Sequence, residues 1–374
     1  MDEKLSREHE MILDAVRYWV KKQCPRTETM AWDESNQLPP EILSKFKELD
    51  LWAMGVDEQF GGTGRDWLGI TLVVETLAEM EPVLAGLYAT DMWGAATIAA
   101  MGTEEQKASF LPQLTEGKLP LARVKPSQPL EETIQFRQGQ SGWILNGACK
   151  QVDFAQQAQM LVVQATAENN PDLTSQFLLS PSSEGVEISP LETLGYRSAG
   201  SCSIELHDVY LSLEAILGQV EKINPMAAAL AQGAWNLLMA AQATGMAQGA
   251  MAYALEHAKG RVQFNQPIGN FPAIREKLTE LSVMIRASRL MVRTAAALAD
   301  AGQKYHAEAA QALLMASSTA EKAGLEGIQI LGGYGYSLEY DAQRYFRNAM
   351  QLVCSGVEKS SLYATIGKSM GLTP

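Results

Sequence analysis

Two stretches of the sequence combine a charged fork, aromatic faces and closely spaced glycines. In Arg261-Val262-Gln263-Phe264-Asn265-Gln266-Pro267-Ile268-Gly269, the planar guanidinium of Arg261 can grip a phosphate, and Phe264 offers a face to an aromatic ring. In Gln329-Ile330-Leu331-Gly332-Gly333-Tyr334-Gly335-Tyr336, the glycines let backbone N–H groups approach a ligand closely, and Gln329 can bond a ribose or adenine edge. Each has a plainer reading: a surface arginine and core phenylalanine in an interhelical turn for the first, a helix C-cap and loop for the second. On residue chemistry alone the plainer readings are preferred. A third stretch, residues 347–361 (RNAMQLVCSGVEKSS), leaves an aromatic-rich helix end and reaches Cys354-Ser355-Gly356, a run built to aim a side chain. Cys354 as a nucleophile would need a base, but His9, His207, His257 and His306 stand isolated along the chain.

Helices must position these residues. From Glu3 to about Gly117 apolar residues recur at three and four, as Met11, Ala15, Val16 and Trp19 do. Pro39-Pro40 opens a helix over PPEILSKFKELDLWAMG, Phe60-Gly61-Gly62-Thr63-Gly64 makes a loop, and Gly102-Thr103-Glu104-Glu105-Gln106 reads as a cap followed by an acidic first turn. After Gly117 the period becomes two, with strand-like runs at 142–145, 160–165, 176–179, 186–188 and 203–206. Helix returns near Ile223: an Ala-rich segment to residue 259, then 272–302, about 305–331 ended by Gly332-Gly333, and a last helix over 359–369. The expected organisation is a helical domain over 1–118, a β domain over 119–222 and a helical bundle over 223–374.

At 374 residues the chain is too long for one small core and implies two or three packed domains. Its 30 basic and 43 acidic residues give a net charge of −13, which argues against a nucleic-acid partner. Cys24, Cys149, Cys202 and Cys354 lie far apart without metal-ligand spacing, so no metal site and no disulfide framework are expected, and a cytoplasmic location fits best. The N-terminus MDEKLSREHE has no apolar segment of a secretory signal. Between Lys222 and Glu256 no residue is charged, but Asn224, Gln232, Asn236, Gln242 and Gln248 interrupt a run of mostly Ala and Gly. This reads as a buried helix whose small residues admit close neighbours, not as a membrane span.

In this order, on these helices, the motifs resemble the acyl-CoA dehydrogenase family. The resemblance runs through Phe60 to Gly64 and Gly102 to Gln106, then Ile144-Leu145-Asn146-Gly147, Leu194-Gly195-Tyr196-Arg197-Ser198 and Glu205-Leu206-His207-Asp208-Val209. It continues through the Arg261 and Gln329 stretches to Arg347. It implies an α+β fold of N-terminal helical domain, middle β-barrel domain and C-terminal four-helix bundle, with FAD between two subunits and an acyl-CoA beside the flavin ring. It further implies that Arg261 binds the FAD pyrophosphate. Gln263 and Phe264 would lie by the adenosine half, and Gln329, Gly332 and Gly333 would form a cradle for that half. All of them would serve the neighbouring subunit's flavin.

The positions that resemblance assigns to the reaction are altered. Removing the α-proton of a thioester needs a desolvated carboxylate base. The residue before the glycine of the closing loop, where that base usually lies, is Ser355, in a segment one residue short. The alternative position on the long helix is Trp235, followed by Asn236 where arginine is common. A run that is usually Thr-Glu-Pro-Gly-Ala-Gly-Ser-Asp is here Arg123-Val124-Lys125-Pro126-Ser127-Gln128-Pro129-Leu130-Glu131, and the usual Trp-Ile-Thr aligns with Gln151-Val152-Asp153. A carboxylate at Asp153 would oppose electron gain by a flavin ring by up to roughly 4 kcal/mol at about 4 Å and an effective dielectric near 20.

The expected function is therefore that of a non-catalytic subunit, lending half a FAD site to a homologous acyl-CoA dehydrogenase subunit that holds the acyl-CoA and does the chemistry. A dimer or tetramer is expected, with an electron-transferring flavoprotein as acceptor, and Trp93 and Trp235 filling a disused substrate cavity. Two alternatives stand beside it: a self-sufficient dehydrogenase whose base has moved to Glu358 or Asp153, and a flavin-free binding or structural homologue.

Overall fold

The computed structural model describes residues 5–125, 133–218, 225–356 and 358–372, with side chains for all of these except Pro225, Ser355 and Gly356. The chain opens with α1 (Arg7–Gln23), capped by Ser6, whose hydroxyl accepts the His9 N–H; its buried Leu13, Val16, Trp19 and Val20 follow the three-four spacing of the sequence. After α2 (Arg26–Ser35), α3 (Pro40–Lys47) is shorter than the single helix expected from Pro40 to Gly55. Asp50 takes a left-handed backbone (φ 53°), which Asp tolerates better than most residues, and Trp52–Gly55 closes as a separate 3₁₀ turn. Helices α4 (Trp67–Met80) and α5 (Pro82–Met101) are apolar nearly all round and buried, and α6 (Glu104–Thr115) begins with a reciprocal Thr103–Gln106 capping box.

Seven strands form one curled sheet: β1 (Leu121–Val124), β2 (Gln135–Gln138), β3 (Gly142–Val152), β4 (Met160–Ala167), β5 (Asn170–Leu179), β6 (Val186–Pro190) and β7 (Cys202–Ser212). Their spatial order is β1-β4-β2-β3-β7-β6, with β5 on β4. β1 and β2 both run parallel to β4 and the other pairs are antiparallel. β1 and β2, unmarked by alternation in the sequence, have four residues each, too few for a period of two to stand out. Val152 faces Cys202 in the ladder, and none of the four cysteines is in a disulfide.

The C-terminal helices are α7 (Pro225–Gly260), α8 (Pro272–Asp300), α9 (His306–Leu331), the single-turn α10 (Gly333–Tyr336), α11 (Ala342–Gln351) and α12 (Lys359–Ser369); a two-stranded hairpin, β8 (Val262–Gln263) with β9 (Gln266–Pro267), joins α7 to α8. α7 packs against α4, α5, α8, α9 and α11, which accounts for its uncharged circumference. Its glycines set the distance: a Cβ at Gly245 would stand 2.2 Å from the Glu75 carbonyl on α4, and one at Gly249 2.3 Å from that of Glu79. Among the described residues no helix is long and apolar enough to cross a membrane.

α11 ties the three parts together. Arg347 donates to Asp33 on α2 at 2.6 Å and to the Leu194 carbonyl at 2.7 Å, while Asn348 accepts the Tyr196 N–H at 2.9 Å. Arg344 is buried between Glu81 (2.9 Å) and Asp341 (3.2 Å). These contacts fix the sheet against the helices and shape the cleft between them.

Candidate functional site

Two regions gather the residues singled out in the sequence. The first is the cleft where β1 and the end of β3 meet α5 and α7. Gly86, Thr90, Arg123, Gln151, Asp153, Trp235 and Leu352 line a cavity there of about 70 Å³. Sites for small organic ligands run to roughly 300–1,000 Å³.

The cleft is narrow because the Trp235 indole and the Arg123 guanidinium line it, with Trp93 packed behind them. Trp93 of α5 and Trp235 of α7 meet edge to face with centroids 5.7 Å apart, and Trp93 Nε1 donates to the Ala231 carbonyl. Arg123 of β1 lies over both rings, 4.1 Å from the Trp235 centroid and 5.1 Å from that of Trp93. Burial pulls the Arg123 pKa down to about 10, opposed by the charge of Glu358, so the group stays cationic at neutral pH. The residues filling the cleft come from three separate elements, which is why no sequence motif announced the stack.

The carboxylates of this region are engaged. Asp153 Oδ1 accepts from Ser201 Oγ (2.7 Å), Gln351 Nε2 (3.2 Å) and Gln151 Nε2 (3.4 Å). Glu358, at the start of α12, pairs with Lys125 Nζ at 2.6 Å. Residues 352–356 form a single π turn that extends α11, a local insertion common at functional sites. The Ser355 side chain and the Pro126 to Glu131 run fall outside the described residues.

The second region lies at the far end of the bundle. Here the ends of α7 and α9 share a small apolar cluster that includes Ala254, Ala258, Ile330 and Leu331, and His257 meets the Tyr334 ring at 6.1 Å. Burial, and then the charge of Arg261, lower the His257 pKa. Arg261, Gln263, Phe264, Gln329, Gly332 and Gly333 are all exposed on this end. Phe264 is 87% exposed in a left-handed turn (φ 50°), so the core position of its plainer reading is not what it occupies. A Cβ at Gly332 or Gly333 would meet nothing within 4 Å. Gly332, with φ 60° and ψ −130°, ends α9 in a conformation that suits glycine.

The histidines are less isolated than their spacing suggested. His9 pairs with Asp66 at 2.7 Å, and His207 sits between Glu187 and Glu205 on the exposed face of the sheet. Asp66 is distant from His9 in sequence, and Glu187 lies on the strand beside that of Glu205 and His207; neither partnership reaches the two regions above.

Comparison with known proteins places the chain among acyl-CoA dehydrogenases. Family models for the acyl-CoA dehydrogenase N-terminal and C-terminal domains match residues 6–118 and 227–354. The probable acyl-CoA dehydrogenase YngJ of Bacillus subtilis is 31% identical over 361 residues, spanning 93% of this chain and 94% of that protein. The structure of butyryl-CoA dehydrogenase from Megasphaera elsdenii superposes with a TM-score of 0.91 at 26% identity, covering 99% of this chain and 100% of that one. A chain solved in work on the electron transferring flavoprotein of Acidaminococcus fermentans gives the same TM-score and identity over 99% of both chains.

Proposed function

Because the chain belongs to the acyl-CoA dehydrogenase family, we propose that it acts as the non-catalytic subunit of a heteromeric acyl-CoA dehydrogenase. In this reading it contributes the adenosine and pyrophosphate half of a FAD site to a homologous subunit that holds the flavin ring, the acyl-CoA and the base. One contrast carries the reading: the cleft for a ring and a thioester is reduced to about 70 Å³, while the six candidate dinucleotide-binding residues stand exposed at the bundle end.

The fit of FAD divides along the same line. At the bundle end Arg261 offers a guanidinium fork to two phosphate oxygens, Phe264 an open aromatic face, and Gly332 and Gly333 backbone with no obstruction within 4 Å. In the cleft the cavity beside Arg123 and Trp235 is about 70 Å³, small for a tricyclic ring, and Asp153 would place a carboxylate beside it. FAD bound in the partner would supply the acceptor for a hydride from the acyl β-carbon. This chain's share is binding: Arg261 neutralises phosphate charge, Phe264 covers the adenine from water, and the glycines allow close backbone approach.

The self-sufficient alternative depends on Glu358 or Asp153; Lys125 pairs with the first, and Ser201, Gln351 and Gln151 donate to the second. The test is reconstitution. The chain is purified alone and together with its homologous partner, and flavin content and dye-coupled acyl-CoA oxidation are measured for both. The half-site reading expects flavin and turnover only in the complex, with Arg261→Ala in this chain releasing flavin from it. Turnover by the chain alone would sink it. A complex that binds flavin equally well with or without Arg261 would favour a purely structural role.

A further inference from the structure

A second cavity, of about 160 Å³, opens on the other side of Arg123, between the end of α5, the start of α7 and the paired strands β4 and β5. Its wall includes Ser175 and Gln176 of β5. Ser175 Oγ and Gln176 Oε1 are buried without hydrogen-bond partners, and Ser175 is only 4% exposed. Leaving such a group unpaired costs about 1–3 kcal/mol, so a lone buried hydroxyl calls for an occupant.

Arg123 sharpens that call. A guanidinium has five N–H donors, yet among the described residues this one makes a single hydrogen bond, 3.3 Å to Gln232 Oε1. The indoles of Trp93 and Trp235 give it faces but no acceptor atoms. Among the described residues no carboxylate stands within ion-pair distance of it, and Glu358, the charge that acts on it, is committed to Lys125. A desolvated cation without a counter-charge is costly by several kcal/mol, and contact with two ring faces offsets only part of that. Arg123 thus keeps donors to spare and no counter-charge among the described residues, and the component that answers it is an anion.

Size and lining narrow the anion's class. A cavity near 150 Å³ holds a molecule of about benzene's size. Opposite the polar wall lie Met101, Ala228 and Ala231, which would be left bare by an inorganic anion and covered by a short alkyl chain. We propose that this cavity is a binding site for a short-chain carboxylate of about three to five carbons. Its head group engages the Arg123 fork and the Ser175 hydroxyl, and its tail lies over Ala228, Ala231 and Met101.

Isothermal titration of the isolated chain in chloride-free buffer tests this, with butyrate as probe and butanamide and inorganic phosphate as controls. Neither a flavin nor a partner subunit enters the measurement, so its failure is separate from failure of the half-site reading. Butyrate is expected to bind saturably with one site per chain and at least about tenfold more tightly than butanamide, the difference a charge-assisted pair supplies. Arg123→Met is expected to abolish the preference for the anion. Should that variant fold poorly, Ser175→Ala serves: among the described residues its hydroxyl has no partner, so the ligand-free melting temperature should hold or rise while butyrate affinity falls severalfold. The proposal is overturned if a folded chain gives no saturable butyrate heat at tens of millimolar, if butanamide binds as tightly, or if phosphate binds more tightly than butyrate.

Discussion

Replacing Trp235 with glutamate puts a carboxylate back at a position where relatives of this family are expected to carry a base, yet the variant should stay inactive. Arg123 stands 4.1 Å from the ring that glutamate would replace. At about that separation and an effective dielectric near 20, the guanidinium stabilises the ionised carboxylate by roughly 4 kcal/mol, close to a thousandfold loss of proton affinity. A carboxylate so held is a poor acceptor for the proton of a weak carbon acid, whose ideal base titrates near the working pH. Removing the indole also leaves Trp93 without its edge-to-face partner, and large-to-small changes of this kind cost about 3–5 kcal/mol. The new ion pair returns part of that loss. Trp235→Glu should therefore be more stable than Trp235→Gln by about 1–3 kcal/mol in urea unfolding, since only the former gives Arg123 a counter-ion. Activity is read as dye reduction with FAD across a series of acyl-CoA chain lengths. Saturable turnover by Trp235→Glu above the wild-type background, or equal stability of the Glu and Gln variants, would refute the reasoning.

Three further outcomes follow from the geometry. Arg344→Met strands the buried carboxylate of Glu81 and leaves Asp341 with Arg26 alone, and should lower stability by about 3–5 kcal/mol in urea; a loss below about 1 kcal/mol would mean the network is not what anchors α11. Burial raises the Asp91 pKa from 3.8 to about 7 against the opposing hydrogen bonds from Trp52 Nε1 and the Leu121 N–H. The folded chain then binds this proton more tightly than the unfolded chain, so the contribution favours folding fully below 3.8 and is lost as pH rises through about 7, up to roughly 4 kcal/mol in all. Urea midpoints across that range should fall more steeply for wild type than for Asp91→Asn, and parallel curves would contradict the assignment. Finally, Phe264→Ala, at a side chain 87% exposed, should leave the lone chain's melting temperature unchanged but weaken flavin retention in the complex by about tenfold, the scale of one lost aromatic contact.

Much of the architecture was legible because it rests on local signals. The uncharged run that became α7, the glycine that ends α9 and the Thr103–Gln106 cap are written in neighbouring residues. β1 and β2 escaped because four residues cannot display alternation, and α3 stopped early because Asp50 could adopt a left-handed backbone that its neighbours did not announce. The exposed dinucleotide-binding candidates were readable for the same reason as the helices: Arg261, Phe264 and the Gly332-Gly333 pair sit in contiguous stretches. The stack of Arg123 on Trp235 and Trp93 was not. It joins β1, α5 and α7 across more than a hundred residues of sequence, and only the docking of sheet against helices brings its members together. The same distance hid the pairing of Glu358 with Lys125.

The most direct measurement is the visible absorption of the purified chain, taken alone and in complex with its homologous subunit, with flavin counted against protein. The half-site account predicts a colourless lone chain and a yellow complex whose flavin depends on Arg261 of this chain. Stoichiometric flavin in the chain alone, bleached by an acyl-CoA, would contradict it.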